Sequence, residues 1–300
     1  MAVWVAASDE TSGGNKFSKY HYAGWLAPER DWYDFFAPAW KERVLDGPPK
    51  IPYLHMTEMR SRAWREKHGI TALQVDDRLD LAADLIRQMY SLYPLNITID
   101  GSVFAPLYKK FKVLSKSGHG AKDFQPDFLA FVSYAYAVLL GVSKKFPEAE
   151  KVDFLVENNS EITKHIHELY ETLPESLTGV GHPELVPLMG EFNPAGKDRV
   201  PLQAADYLCW HLRRADAQTL DLRDTARWNT IASRKGFSWE MPKKVLIDLA
   251  KAFRKREKEN AKADRVRKLR QNNARPNKSA ARGIKSRIGA RKGGKSQAEG

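Results

Sequence analysis

Val3-Trp4-Val5-Ala6-Ala7-Ser8-Asp9-Glu10 opens with five apolar residues and ends on two carboxylates. A short continuous apolar run of this kind reads as a buried strand. Thr11-Ser12-Gly13-Gly14-Asn15 follows as a strong turn signal. Residues 16–27 alternate as a second strand, so the two predict a hairpin.

Outward from that hairpin the apolar spacing switches between helical and extended periods. Residues 31–45 carry Trp32, Phe35, Phe36, Trp40 and Val44 at helical spacing, with Pro38 inside the pattern. A Gly-Pro-Pro break leads to 51–55, short and apolar enough for another strand. Residues 76–93 place Leu79, Leu81, Ala82, Leu85, Ile86, Met89 and Tyr90 on one broad helical face. Then come a strand over 96–100, a long helix over 126–146, a strand over 151–157 and a helix over 161–173. A last strand over 186–192 precedes a helix over 202–215. This alternation predicts an α/β sheet domain flanked by helices. Val245, Leu246, Leu249 and Phe253 begin a final helix that runs, increasingly charged, to about residue 271. The sequence shows no internal repeat.

Three hundred residues with 42% hydrophobic content can bury a sizeable core. One cysteine, Cys209, excludes an internal disulfide framework and fits a reducing, cytoplasmic compartment. Residues 1–7 lack the basic start and length of a secretory signal. The longest apolar stretch, 128–142, is shorter than the ~20 residues that span a bilayer and reads as a buried helix.

The net charge of +12 divides unevenly. Residues 254–300 hold 17 Lys and Arg against 4 Asp and Glu, a balance of +13, which leaves −1 for residues 1–253. A near-neutral body with a basic appendage points to a polyanionic partner. From residue 272 the composition is Gly, Ser, Ala, Asn, Lys and Arg with no aromatics, which predicts disorder. The expected organisation is therefore an α/β domain over 1–239, a basic helix over 240–271 and a disordered basic tail over 272–300.

Three acids stand at places where chemistry concentrates. Asp9 ends the first strand, Glu157 ends the strand over 151–157, and Asp206 lies in the helix opened by Pro201-Leu202-Gln203. If the two strands are parallel neighbours, both strand ends lie at the sheet edge where ligands of open α/β sheets bind. On the helix, Gln203, Asp206 and Trp210 share a face apart from the packed face of Leu202, Ala205, Leu208, Cys209 and Leu212. Converging carboxylates ionise together only beside a cation, and hard oxygen ligands suit Mg²⁺ or Mn²⁺. Two such ions about 4 Å apart would activate water in phosphodiester cleavage. The bland reading is that Asp and Glu end many strands because they tolerate turns and solvent. Asp100, at another strand end, is a reserve ligand.

The segments Ser8-Asp9-Glu10-Thr11-Ser12-Gly13, Leu54-His55-Met56-Thr57-Glu58-Met59, Val152-Asp153-Phe154-Leu155-Val156-Glu157 and Pro201-Leu202-Gln203-Ala204-Ala205-Asp206-Tyr207-Leu208 occur in one order. Together they resemble the RNase H-like family catalogued as domain of unknown function 3800, found in bacteria, phages and mobile elements. The resemblance covers roughly residues 1–215. It implies an RNase H-like mixed sheet flanked by helices and an acidic, divalent-metal site. By position, Asp9, Glu157 and Asp206 would be catalytic acids and metal ligands, with Glu10 and Gln203 as supporting residues. Thr11 is inserted relative to the family's usual Asp-Glu-Ser-Gly text, and Glu157 stands where Asp is frequent.

His55 and Glu58 lie close enough in sequence to approach such a site in support, although a lone His beside apolar residues is more often structural. His165 and His167, two apart on a helix, point to different faces. Lys109, Lys110, Lys112, Lys116 and Lys122 surround Ser117-Gly118-His119-Gly120, either a phosphate-binding loop or a solvated one. In the basic segment, Arg265, Arg267, Lys268, Arg270, Arg275, Arg282, Arg287 and Arg291 can follow a phosphate backbone with steep salt dependence. The alternatives for that segment are a solubility tail or an anionic-membrane contact, the latter disfavoured by its sparse apolar residues.

The expectation is a metal-dependent nuclease or related phosphoryl-transfer enzyme acting on DNA or RNA held by the basic tail. The alternatives are a non-catalytic nucleic-acid-binding or defence-associated module of the same fold, or an RNA-associated scaffold.

Overall fold

The computed structural model describes residues 2–10, 19–109, 111–114, 121–123, 125–158 and 162–273. The described residues up to Leu246 form one compact unit, and those from Ile247 to Asn273 belong to another. The first is an α/β unit with a mixed six-stranded sheet flanked by helices.

The sheet is centred on β1 (Ala2–Glu10) and β2 (Lys19–Pro28), which pair antiparallel as the hairpin reading expects. A helical segment follows over 31–45. It is π-helical at Asp31–Phe36 and Lys41–Leu45, with an α-helical turn, α1 (Ala37–Trp40), between them. Pro38 has no N–H to give, and the helix is wide on either side of it. Short helices α2 (Met56–Arg60) and α3 (Arg62–His68) come next, and Gly69 ends α3 at φ +62°. Helix α4 (Ala72–Gln88) starts on a capping box between Thr71 and Gln74. Then come β3 (Tyr93–Asp100), α5 (Gly101–Tyr108), a small ribbon of β4 (Lys112–Leu114) and β5 (Ala121–Asp123), and α6 (Pro126–Lys145). The remaining elements are β6 (Ala149–Glu157), α7 (Ile162–Gly179), β7 (Met189–Ala195), α8 (Val200–Asp216), α9 (Leu222–Ala232), β8 (Phe237–Glu240) and α10 (Lys243–Asn273).

The strand order is β7-β6-β1-β2-β3-β8, and only β2 runs against the other five. The C-terminal ends of β1 and β6 therefore share one edge. Along β1, Val5 and Ala7 face a core shared with 31–45, α4 and α8, whereas Trp4 stacks on Phe146 just beyond α6. Three buried indoles tie the first layer to its neighbours. Trp25 donates to the Ala204 carbonyl at 2.9 Å, Trp32 to the Val5 carbonyl at 3.1 Å, and Trp40 to Gln203 Oε1 at 2.9 Å. Each buries a large apolar ring while its polar edge stays satisfied.

Helix α6 is 20 residues and, by length and composition alone, could cross a membrane. Its Phe131, Tyr134, Ala135, Val138 and Leu139 are buried in this unit, as the buried-helix reading expects.

Several expectations are corrected. Residues 51–55 are not a strand. Ile51 and Leu54 are buried, but the Leu54 N–H bonds Gln203 Oε1 at 3.1 Å instead of a neighbouring strand. The helix predicted over 76–93 starts at Ala72 and stops at Gln88, leaving Tyr90 88% exposed. Arg234 terminates it, donating to the carbonyls of Ile86, Met89 and Leu92. On α8, Leu202, Ala205, Leu208 and Cys209 are buried and Asp206 and Trp210 half-buried, but Gln203, read as sharing the latter face, is as buried as Leu202. The segment from residue 186 is a 3₁₀ turn before it becomes β7. Helix α10 runs through Asn273, and the tail beyond it lies outside the described residues.

Helix α9 is anchored by charge. Buried Asp224 pairs with Arg227 and, through both oxygens, with Arg60; Arg227 also reaches Asp76 and Asp80 of α4. Fully buried His211 of α8 lies against this network, its Nδ1–H donating to the Tyr207 carbonyl at 2.8 Å. Burial, reinforced by Arg227 and Arg60, pushes its pKa down from 6.5 to about 4. Between those values the unfolded chain binds the proton and the folded chain does not, so this group's stabilising contribution is lost as pH falls from 6.5 toward 4. The full shift corresponds to about 3 kcal/mol. Urea melts from pH 7 to pH 4 should show His211→Gln losing less stability than the parent by a substantial part of that amount. Parallel pH profiles for the two proteins would refute the assignment.

Candidate functional site

At the shared edge, strand alternation sends Asp9 and Glu10 to opposite faces of the sheet. Asp9 follows Val5 and Ala7 toward α8 and is 8% exposed. Glu10 follows Trp4 and Ser8 toward α6, where Asp127 occupies the first turn. Glu157, ending β6, borders both sides.

Two small niches result. One, of about 10 Å³, is lined by Asp9, Glu157, Asp206, His55, Lys197 and Gln203, among others. The other, of about 20 Å³, is lined by Asp9, Glu10, Glu157, Tyr22 and Thr163 among others. Each is the size of a single water or ion. The three acids singled out from sequence thus line one niche.

Asp9 is buried and Asp206 half-buried, and both are crowded by neighbouring carboxylates. Burial, then Asp206 and Glu157, push Asp9 well above the usual carboxylate range, although its Oδ1 accepts the Glu10 N–H at 2.8 Å. Burial also raises Asp206, against the opposing pull of His55 and of the Met56 N–H, which bonds its Oδ2 at 2.6 Å. On the other face, burial, then Asp127 and Glu157, push Glu10 up to about 8, and burial pushes Asp127 up to about 6.

The supporting residues take distinct places. Gln203 clasps the loops around the niche. Its Oε1 accepts from Trp40 Nε1 and the Leu54 N–H, while its Nε2 donates to the Lys197 carbonyl at 2.9 Å. Glu58 accepts from Lys197 Nζ at 2.8 Å and the Tyr53 hydroxyl at 2.6 Å. Burial pulls its carboxyl up, but those two bonds outweigh it and hold the group below its ordinary value. His55 lies in the niche with Nδ1 3.5 Å from Glu58 Oε1. Asp100 is not brought in. It ends β3, two strands away, and caps α5 through the Ser102 N–H at 2.8 Å.

Sequence reasoning missed Lys197 and Asp127. Lys197 lies in the turn between β7 and α8, its ammonium 3.9 Å from Glu157 Oε1. Asp127 carried no distinguishing signal, because acids are common in the first turn of any helix.

A hard divalent cation fits the chemistry of this donor set, three oxygen-bearing acids whose charge is under-compensated. Among the described residues, however, no three His, Cys, Asp or Glu side chains stand close enough to hold a metal ion as they are. A cation would have to draw the carboxylates inward.

Of the residues read as phosphate contacts, Lys109 is exposed at the end of α5. Lys112 and Lys122 lie in the β4–β5 ribbon with side chains outside the description, and Lys110 and Lys116 are outside the described residues. Arg265 and Arg267 are exposed on α10; Lys268 and Arg270 share that helix without described side chains. Arg275, Arg282, Arg287 and Arg291 lie outside the described residues. His165 is buried and His167 exposed, on different faces as expected.

Compared with known proteins, the chain matches no family model, no curated protein and no solved structure.

Proposed function

We propose that this chain is an RNase H-like, divalent-metal-dependent nuclease or related phosphoryl-transfer enzyme acting on nucleic acid. The observation that carries the reading is the convergence of Asp9, Glu157 and Asp206, from β1, β6 and α8, on one ion-sized niche. The sheet supports it as well: β1 is flanked by an antiparallel meander on one side and parallel β6 and β7 on the other.

Asp9, Glu157 and Asp206 would hold Mg²⁺ or Mn²⁺. When bound, the ion would lower the pKa of a water and offset charge on the leaving oxygen. The chain's own groups do the positioning. The Met56 N–H holds Asp206 through its Oδ2. Gln203 fixes the loop carrying His55 and the backbone of Lys197. Lys197 pairs with Glu58 and lies within ion-pair reach of Glu157. The basic segment of residues 254–300 would hold the substrate through salt-sensitive phosphate contacts.

Incubated with Mg²⁺ or Mn²⁺, the purified chain should cut single-stranded DNA or RNA and stop when EDTA is added. Cleavage persisting in EDTA overturns the mechanism. A second reading, a non-catalytic nucleic-acid-binding or defence-associated module, is favoured by Lys197, which already brings a cation to the niche. That reading expects nucleic-acid binding lost on truncation at Arg254, with no metal-dependent turnover.

A further inference from the structure

The niches are too small for anything larger than an ion or a water, so a substrate must be gripped elsewhere. Helix α8 carries more than Asp206. Trp210, Arg213 and Arg214 follow it by four, seven and eight residues, which places them about 6 to 12 Å farther along the axis. At the i+4 and i+7 positions, Trp210 and Arg213 share Asp206's side of the helix. Together with Arg60, Asp221 and Asp224, these residues line a surface cavity of about 560 Å³, which is nucleotide-sized.

The charges in this cavity are not equally engaged. Asp224 is satisfied by Arg60 and Arg227, and Asp221 caps α9 through the Asp224 N–H at 2.8 Å. Arg60 is locked between Asp224 and Asp76. Arg214 reaches the Thr219 carbonyl. The Arg60 and Arg214 guanidinium carbons lie 5.3 and 4.8 Å from the Trp210 ring centre, so the indole steadies both. The Arg213 side chain is exposed and makes no ion pair or hydrogen bond with the described residues. A cation at the last turn of a helix also complements its dipole. That accounts for the charge of Arg213 but not for a cavity built around a tryptophan flanked by two arginines.

We propose that this cavity is a phosphate-binding subsite for a single nucleic-acid strand, with Arg213 and Arg214 on the phosphate oxygens and Trp210 as a positioning residue. The planar guanidinium fork matches phosphate oxygens. The inference rests on the nuclease reading for its direction: the strand runs along α8 from the arginines to Asp206.

The test is fluorescence anisotropy of the full chain with a short labelled single-stranded oligonucleotide in EDTA, over a range of salt. Arg213→Glu should weaken binding roughly tenfold and reduce the slope of log affinity against log salt by about one, while Arg213→Lys, which keeps the charge but not the fork, should keep the slope and lose only part of the affinity. The basic segment contributes equally to all three proteins, so the difference reports the cavity. Ultraviolet cross-linking should mark the peptide containing Trp210. Unchanged affinity and slope in Arg213→Glu overturn the proposal, and a shift in melting temperature alone assigns Arg213 to the helix end. If Arg213→Glu does not fold, Arg213→Gln gives the same reading. Cleavage separates the two ideas. A parent that never cleaves but loses affinity on Arg213→Glu keeps the subsite and removes the nuclease reading. A variant cleaving with unchanged KM keeps the nuclease reading and removes the subsite.

Discussion

Asp9→Asn is expected to stabilise the metal-free protein and, under the proposed mechanism, to cripple metal-dependent cleavage. Buried beside Asp206 and Glu157, Asp9 holds its proton more tightly when folded than when unfolded. Its contribution therefore becomes destabilising as pH rises above the ordinary carboxylate range. Asparagine removes the charge at similar volume, and at pH 7 the metal-free variant should gain on the order of 1–3 kcal/mol. Mn²⁺ should reverse the ranking, raising the melting temperature of the parent and leaving the variant unmoved. Cleavage should fall at least roughly a thousandfold, since several kcal/mol of charge stabilisation is removed. The decisive measurement is a pair of thermal melts with and without Mn²⁺. Equal metal shifts in both proteins would falsify the assignment of Asp9 as a ligand.

The largest loss of stability is expected from Gly24→Ala. A Cβ at Gly24 would lie 1.9 Å from the Ala7 carbonyl oxygen and 2.7 Å from the Ser8 Cα. Both contacts are backbone, so no rotamer change relieves them. Strands β1 and β2 would have to separate next to Asp9, in the centre of the sheet. A cost of at least about 3 kcal/mol follows, because the closely packed core around Trp25 cannot absorb the shift. Chemical denaturation measures it directly. A midpoint matching the parent's would show that the strand pair is more compliant than its geometry implies.

Much of the body was legible in sequence because its strands and helices carry plain apolar patterns. β1, β6, α6 and the helix bearing Asp206 are read from unbroken runs or helical spacing. The failures have physical reasons. Residues 51–55 have a strand's composition, but the Leu54 N–H, and the Met56 N–H just beyond, are taken by Gln203 and Asp206 of α8, a long-range fact with no local signature. Helix α9 was invisible because two of its three buried residues, Asp224 and Arg227, are charges that read as solvent-facing until their partners are known. β8 is a four-residue edge strand with an exposed phenylalanine, Phe237. For the site, Asp9, Glu157 and Asp206 were reachable from strand ends and motif order. Lys197 and Asp127 needed the fold, since only the docking of α8 and α6 on the sheet gives them neighbours.

The pairing of β1 with β6, and the seating of α8 across β1 and β2, set a schedule for biosynthesis. Residues 9, 157 and 206 emerge from the ribosome far apart in time, and the hairpin can close long before its parallel neighbour exists. Contacts of such sequence separation form late. A nascent chain thus holds its three acids apart until α8 has emerged and docked, and a chain truncated before residue 206 never assembles the niche.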